Sequence, residues 1–139
     1  EVMALMGHLA GLAVHSNGWD EITLDGPTHV VEVFKGKLKS YTWTHRNFGL
    51  PSVPSKHLKG SDAASNAQAI KTIIDGGNHP ARNVVLANAA ALIWIAARAY
   101  DGDRLSLKDA VERAVQSINS GAAREKYRRL VETSTMLEP

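Results

Sequence analysis

Hydrophobic residues in the second half of the chain fall at helical spacing. Over residues 107–118 they recur at i, i+3, i+4, i+7, i+8 and i+11, which predicts an amphipathic helix opened by a capping box at Ser106. Residues 80–100 are apolar on nearly every side, so this segment predicts a central, buried helix. Two further helices are predicted. One runs over residues 62–75, with a capping residue at its start and Gly76-Gly77 after its end, and the other follows Gly121.

The first half of the chain has the composition of strands and turns. Residues 28–34 and 37–44 are rich in β-branched and aromatic side chains, and Lys35-Gly36 between them predicts a tight hairpin. Residues 1–12 suit a short buried helix. Residues 45–60 carry prolines and glycines with little periodicity, which predicts a long loop. The whole pattern is that of an α/β protein in which several helices pack on a sheet that includes a hairpin.

Composition narrows the class of protein. The chain has 139 residues, of which 44% are hydrophobic and 22% charged, as expected for one folded domain and not for a disordered chain. A net charge of +2 is too small to suggest a nucleic acid or an anionic membrane as partner. The chain has no cysteine, which excludes disulfides and thiolate metal sites. The apolar run over residues 84–97 is shorter than the ~20 residues of a membrane span, and no signal peptide is evident.

The best candidate for chemistry is the acidic pair Asp20-Glu21, which follows a turn of the type Ser-Asn-Gly at residues 16–18. Two adjacent carboxylates on an irregular backbone can converge on one hard cation, and Mg²⁺ favours one or two carboxylates with waters and substrate phosphates. The alternative is a solvated acidic pair without a ligand. The six histidines are scattered, and His15 stands out only because it lies just before this turn.

Common catalytic and nucleotide motifs are absent from the sequence. It contains neither of the two common nucleotide-binding loops, G-x-x-x-x-G-K-[ST] and G-x-G-x-x-G. It also lacks the G-x-S-x-G motif that places a nucleophilic serine in hydrolases. Lys59-Gly60-Ser61-Asp62 precedes a predicted helix, where free N–H groups can bind an anion, but the Asp62 carboxylate is better suited to capping that helix.

A family resemblance changes this interpretation. Residues 14–22, VHSNGWDEI, resemble the "VHG–GLDEI" region of the anthranilate phosphoribosyltransferase family. Further short similarities follow in the family's order across nearly the whole chain. They are Gly26-Pro27-Thr28 with "GPT", Phe48-Gly49-Leu50 with "FGL", residues 59–67 with "GGDAxENA", residues 88–92 with "NAAAAL", and residues 120–123 with "SGxA".

The resemblance implies a fold and a domain assignment. Residues 1–139 would form the C-terminal half of the α/β catalytic domain of the nucleoside phosphorylase and phosphoribosyltransferase type. The family's N-terminal helical domain and its phosphate-binding loop would lie outside this chain. An apolar opening directly after Glu1 is typical of the interior of a longer protein, and we expect exposed apolar surface around Val2, Leu5 and Leu9.

The resemblance also implies an activity. The family transfers the phosphoribosyl group from phosphoribosyl pyrophosphate to anthranilate, giving N-(5-phosphoribosyl)anthranilate and pyrophosphate in tryptophan biosynthesis. Asp20 and Glu21 match the family's pair that holds Mg²⁺. The resemblance implies a cytoplasmic enzyme, a homodimer when complete, with no nucleic-acid or membrane partner. Without the phosphate loop, this chain alone is expected to be inactive.

Two alternatives and four departures from the family pattern accompany this interpretation. The chain could be a non-catalytic, stand-alone or partner-binding module, or a paralogue of the same fold that resembles a nucleoside phosphorylase or binds nucleic acid. Ser16 stands where the family has glycine, Trp19 where it has leucine, and Ser61 and Ser65 where it has glycine and glutamate. Trp19 lies beside the acidic pair, so it puts the local geometry of the pair in question.

Overall fold

The structure is a computed structural model that describes residues 2–3, 10–100 and 105–136. It separates into two compact units. The first comprises Glu1–Lys59 and Pro80–Ala114, and the second comprises Gly60–His79 and Val115–Pro139. The strands are β1 (Val2–Met3), β2 (Ala10–His15), β3 (Thr28–Phe34) and β4 (Lys37–Trp43). The helices are α1 (His45–Phe48), α2 (Ala63–Ile74), α3 (Arg82–Tyr100), α4 (Leu107–Asn119) and α5 (Ala122–Thr135).

The first unit contains an antiparallel sheet in the order β1-β2-β3-β4. The hairpin predicted at Lys35-Gly36 is confirmed, because both residues have the positive φ values, 49° and 72°, of a tight two-residue turn. Strand β3 has the predicted bounds, and β4 ends one residue before the predicted limit. Together with the helices this confirms the α/β class.

The helix predicted over residues 1–12 is wrong where the structure describes it. Residues 10–12 lie in β2, where buried Ala10, Leu12 and Val14 alternate with less buried neighbours. This period of two is the signature of a half-buried strand, and a short apolar run does not distinguish it from a helix. Residues 4–9 lie outside the described part of the chain. So do the side chains on which the predicted apolar surface depends, namely Val2, Leu5 and Leu9.

The loop predicted over residues 45–60 contains two short helical turns. One is α1, which Gly49 ends with a φ of 68°, and the other is a 3₁₀ helix at Ser55–His57. Thr44 and Asn47 form a capping box at the start of α1. The sequence pattern missed these turns because each is too short to show periodicity.

Helix α3 forms the helical side of the first unit's core and packs on β2. One face of α3 is buried in the first unit, through Leu86, Ala87, Ala90, Ala91 and Ile95. Its other face is more open, so the prediction that α3 is buried on nearly every side holds for one face only. By length and composition alone α3 could cross a membrane, but apolar core helices meet the same criterion.

An aromatic cluster and a buried ion pair join α3 to the sheet. The Trp43 ring packs edge-on against Phe48 and Trp94, with ring centroids 5.7 and 5.6 Å apart. Glu32 of β3 is only 2% exposed, and its Oε1 lies 2.6 Å from Nε of Arg98 on α3. No feature of the sequence pattern had singled out this pair.

The second unit is helical and matches the predicted caps. Asp62 accepts a hydrogen bond of 2.8 Å from the Ser65 N–H at the start of α2, and Gly76, with a φ of 81°, follows that helix. Arg124 of α5 lies 3.4 Å from Asp75, just beyond α2. The predicted capping box at Ser106 is also present, at the α4 end that belongs to the first unit, where Asp109 N–H donates to the serine hydroxyl at 3.1 Å.

Candidate metal-binding site

The acidic pair follows a two-residue hairpin turn at the end of β2. Ser16 and Trp19 exchange two backbone hydrogen bonds of 3.0 Å across Asn17-Gly18. Asn17 and Gly18 have φ values of 46° and 92°, in the left-handed region that asparagine and glycine tolerate best. Residues 16–18 are therefore part of the turn that the sequence predicted, and Asp20 directly follows Trp19, the residue that closes this turn.

Buried hydroxyl groups hold the backbone at Glu21. The Ser16 Oγ lies 2.8 Å from the Glu21 carbonyl oxygen and 2.8 Å from the Thr28 Oγ1. The Thr28 Oγ1 also accepts a hydrogen bond of 3.2 Å from the Thr23 N–H. A hydroxyl group donates only one proton. All of these hydrogen bonds form together when the Thr28 hydroxyl donates to the Ser16 hydroxyl and the Ser16 hydroxyl donates to the Glu21 carbonyl. Ser16 thus holds the carbonyl of Glu21, the second acidic residue, in place.

The residue after the acidic pair is held from α3. The Asn88 Oδ1 accepts a hydrogen bond from the Ile22 N–H at 3.0 Å, and the Asn88 Nδ2 donates to the Ile22 carbonyl at 3.0 Å. The same Nδ2 donates to the Val84 carbonyl at 2.9 Å within the helix. Ile22 itself is 1% exposed. The acidic pair is therefore bounded by a tight turn on one side and an anchored core residue on the other.

Both carboxylates are left accessible by this arrangement. Asp20 and Glu21 are exposed, and within the part of the chain that the structure describes neither carboxylate forms a hydrogen bond or an ion pair. Among the same residues, no group of three His, Cys, Asp or Glu side chains is close enough to hold a metal ion. Asp20 and Glu21 are therefore two adjacent carboxylates that solvent or a ligand can reach.

Two cavities of the first unit adjoin this segment, and Trp19, itself 45% exposed, lines both. One, of about 500 Å³, is mainly apolar and includes Glu21 and Asn88. The other, of about 440 Å³, is more polar and includes His15 and Asp25.

The Asp25 carboxylate, which lines the second cavity, already has a hydrogen-bond partner. Its Oδ2 accepts a hydrogen bond of 2.8 Å from the Ser55 N–H. This bond, supported by the Ser55 hydroxyl and weakly by the charge of Lys56, holds the pKa of the Asp25 carboxyl below its usual value. The carboxylate joins the loop that follows β4 to the segment that carries the acidic pair.

The sequence pattern brought out the carboxylates but not the residues that hold them. The roles of Ser16, Thr28 and Asn88 depend on contacts between residues far apart in the chain. Two signals were present, since Thr28 belongs to the "GPT" similarity and Asn88 is the polar residue that interrupts a long apolar run. A buried polar residue in such a run needs a partner, and that could have drawn attention to Asn88.

The class of protein to which this chain belongs is given by its match to a known family. The model of the family described as "Glycosyl transferase family, a/b domain" matches residues 1–124, and the chain belongs to this family.

Individual relatives of the chain carry a more specific enzyme name than the family does. Anthranilate phosphoribosyltransferase of Anaeromyxobacter sp. (strain K) is 43% identical over 135 residues, which is 97% of this chain and 39% of that protein. The enzyme of the same name from Rhodopseudomonas palustris (strain BisA53) is 40% identical over 139 residues, 99% of this chain and 40% of that protein. The chain thus spans about two-fifths of the length of the curated relatives it matches.

Solved structures of the same enzyme name share the fold. Anthranilate phosphoribosyltransferase from Thermus thermophilus has a TM-score of 0.74 at 34% identity, covering 88% of this chain and 35% of that one. The enzyme from Saccharomyces cerevisiae in complex with PRPP and Mg has a TM-score of 0.78 at 22% identity. The match covers 91% of this chain and 35% of the yeast chain. At that identity the yeast enzyme bears on the fold alone.

Proposed function

We propose that this chain is the metal-binding segment of an anthranilate phosphoribosyltransferase, in which Asp20 and Glu21 hold Mg²⁺. The observation that carries the proposal is the pair of accessible carboxylates, on a backbone segment bounded by the turn and by Ile22, in a chain 43% identical to a protein of that name. The substrates would be phosphoribosyl pyrophosphate and anthranilate. A place in tryptophan biosynthesis and in the cytoplasm follows from the same family resemblance.

The donor set fits this metal. Mg²⁺ is a hard cation that keeps several waters and is usually held by one or two carboxylates together with substrate phosphates. Asp20 and Glu21 supply two such oxygens, and neither is engaged with another described residue. When bound, Mg²⁺ would neutralise the charge that develops on the pyrophosphate leaving group.

The chain's own residues act by positioning. The Ser16 hydroxyl and the Asn88 amide hold the backbone at Glu21 and Ile22, so the backbone that carries the acidic pair is positioned before any ligand arrives. A site organised in advance does not have to reorganise during the reaction, and this is the source of much electrostatic catalysis. The two carboxylates would hold the metal ion, and the metal ion would orient the phosphates beside the sugar carbon.

The first test is metal binding by the 139-residue chain. Mn²⁺ has the same preference for oxygen ligands as Mg²⁺, and its electron paramagnetic resonance signal reports the free ion. We expect the double variant Asp20→Asn with Glu21→Gln to weaken Mn²⁺ binding by about tenfold or more, and Mg²⁺ to displace Mn²⁺ from the wild type. The matched control is Glu112→Gln, at an exposed position on α4. Equal binding by the double variant and the control would contradict the metal role.

The second test addresses the reaction. In a chimera, the chain replaces the matching 135-residue segment of the Anaeromyxobacter relative. We expect this protein to form phosphoribosylanthranilate, and the double variant to lower its kcat/KM by about 100-fold or more. A folded chimera that binds Mn²⁺ but forms no product would contradict the assignment of the reaction while leaving the metal site intact.

A further inference from the structure

Two histidines lie directly opposite each other on neighbouring strands. His15, the last residue of β2, is the register partner of His29 on β3. Both are exposed, whereas the adjacent pair Val14 and Val30 is buried. Since successive side chains alternate between the faces of a sheet, the two imidazoles share the face opposite the core.

This placement brings two ligand groups within reach of one ion. Directly opposed residues of an antiparallel pair have Cβ atoms about 4.5–5.5 Å apart, and imidazole nitrogens suit Zn²⁺, Cu²⁺ and Ni²⁺. Both side chains also line the same polar cavity of about 440 Å³. We propose that His15 and His29 together bind one divalent late transition-metal ion at this position.

The site differs in chemistry from the acidic pair. Asp20 and Glu21 offer only carboxylate oxygens, which favour Mg²⁺, whereas the histidine pair offers only nitrogens. Within the described residues no third His, Cys, Asp or Glu lies close enough to join the pair, so waters would complete the coordination of the ion. An ion held here links β2 to β3 next to the Asn17-Gly18 turn. It therefore stabilises the pairing of these two strands, whose connecting segment carries the acidic pair.

Calorimetric titration of the 139-residue chain with Ni²⁺ and, separately, with Zn²⁺ tests the proposal. Two ligands on one rigid sheet bind far more tightly than either alone, so we expect His15→Gln and His29→Gln each to lower the affinity by about tenfold or more. His57→Gln is the matched control, because His57 is also exposed but lies on the 3₁₀ helix. Retained affinity in both His15→Gln and His29→Gln would overturn the proposal.

A measurement on the unaltered chain covers the case in which a variant fails to fold. Electron paramagnetic resonance of one equivalent of Cu²⁺ reports the number of coordinating nitrogens, and we expect two imidazoles. A spectrum with a single imidazole would overturn the proposal. Bound Zn²⁺ should also raise the melting temperature of the wild type in a concentration-dependent way, since a ligand that binds the folded state stabilises it. An unchanged melting temperature at saturating Zn²⁺ would equally count against the site.

Discussion

The side-chain amide of Asn88 hydrogen-bonds both backbone groups of Ile22, accepting from its N–H and donating to its carbonyl, each at 3.0 Å. An amide that pairs with both groups of one residue takes the place of a neighbouring strand. Ile22 therefore has satisfied backbone groups although it lies outside the sheet. Because Ile22 directly follows Asp20-Glu21, a residue on α3 fixes where the acidic segment ends.

Replacing Asn88 by alanine should loosen this segment. Asn88→Ala leaves the Ile22 N–H and carbonyl without their partner, and we expect the free energy of unfolding to fall by about 1–3 kcal/mol. Urea denaturation followed by circular dichroism measures the change. Asn83→Ala, on the same helix, is the control, and we expect its effect to be smaller. The same variant should weaken Mn²⁺ binding while both carboxylates remain, so unchanged Mn²⁺ affinity would argue against a positioning role.

The buried hydroxyl of Thr28 supports the same segment from the sheet. Thr28→Val keeps the shape of the side chain but removes the oxygen that contacts Ser16 and the Thr23 N–H. We expect a loss of about 1–3 kcal/mol, because two polar groups lose their partner in a buried place. Thr42→Val tests the same chemical change at an exposed position on β4 and should be nearly neutral. Equal urea midpoints for the two variants would contradict the network.

The turn before the acidic pair depends on glycine. Gly18 has a φ of 92° and open space around the position of a Cβ atom, so Gly18→Ala adds backbone strain without a steric clash. We expect a cost of about 1 kcal/mol, measured by thermal or urea unfolding. Gly26→Ala is the matched control, because it also meets no neighbouring atom but has no positive φ. A Gly18→Ala variant as stable as Gly26→Ala would mean that the turn adopts another conformation.

Local signals account for most of what the sequence could predict. The Lys35-Gly36 hairpin, the caps of α2 and α4 and the Asn17-Gly18 turn each depend on residues within a few positions of one another. The strand at residues 10–12 was misassigned because its burial depends on the pairing of β2 with β3, which residues 1–12 do not encode alone. The acidic pair was accessible to motif reasoning, whereas its support by Asn88 required a contact across 66 positions.

The buried ion pair of the first unit should show strong coupling. Glu32, 2% exposed, pairs with Arg98, 30% exposed, and also accepts a hydrogen bond from the Tyr41 hydroxyl. The Arg98 guanidinium also lies over two aromatic rings, 4.7 Å from the centroid of Phe34 and 5.1 Å from that of Trp94.

Removing either partner of this pair leaves the other uncompensated. We expect Arg98→Met and Glu32→Leu each to cost about 3 kcal/mol, and the double variant to cost clearly less than the sum. Urea denaturation of the four proteins completes the double-mutant cycle. Additive losses would show that the two side chains contribute independently, and would contradict the coupling.

An exposed carboxylate on α5 gives a prediction about pH. Nε and Nη2 of Arg128 donate to the two oxygens of Glu125 at 2.9 and 2.8 Å, and Arg129 donates to Oε1 at 2.8 Å. These hydrogen bonds, with the Arg128 bonds contributing most, lower the pKa of Glu125 from 4.5 to about 2. Because the folded-state pKa is the lower one, the stabilisation is present above about pH 4.5 and is lost as the pH falls towards 2.

Carbon-13 NMR of the Glu125 carboxyl during an acid titration measures this pKa directly. Arg128→Gln should raise it towards 4.5, whereas Lys126→Gln, which removes a nearby charge but none of these hydrogen bonds, should move it little. Because the Glu125 side chain is 45% exposed, 1 M salt should shrink the shift in the wild type through screening. A wild-type pKa near 4.5 at low salt would mean that the arginines do not hold Glu125 in solution, and α5 would then show no acid-dependent loss of stability from this residue.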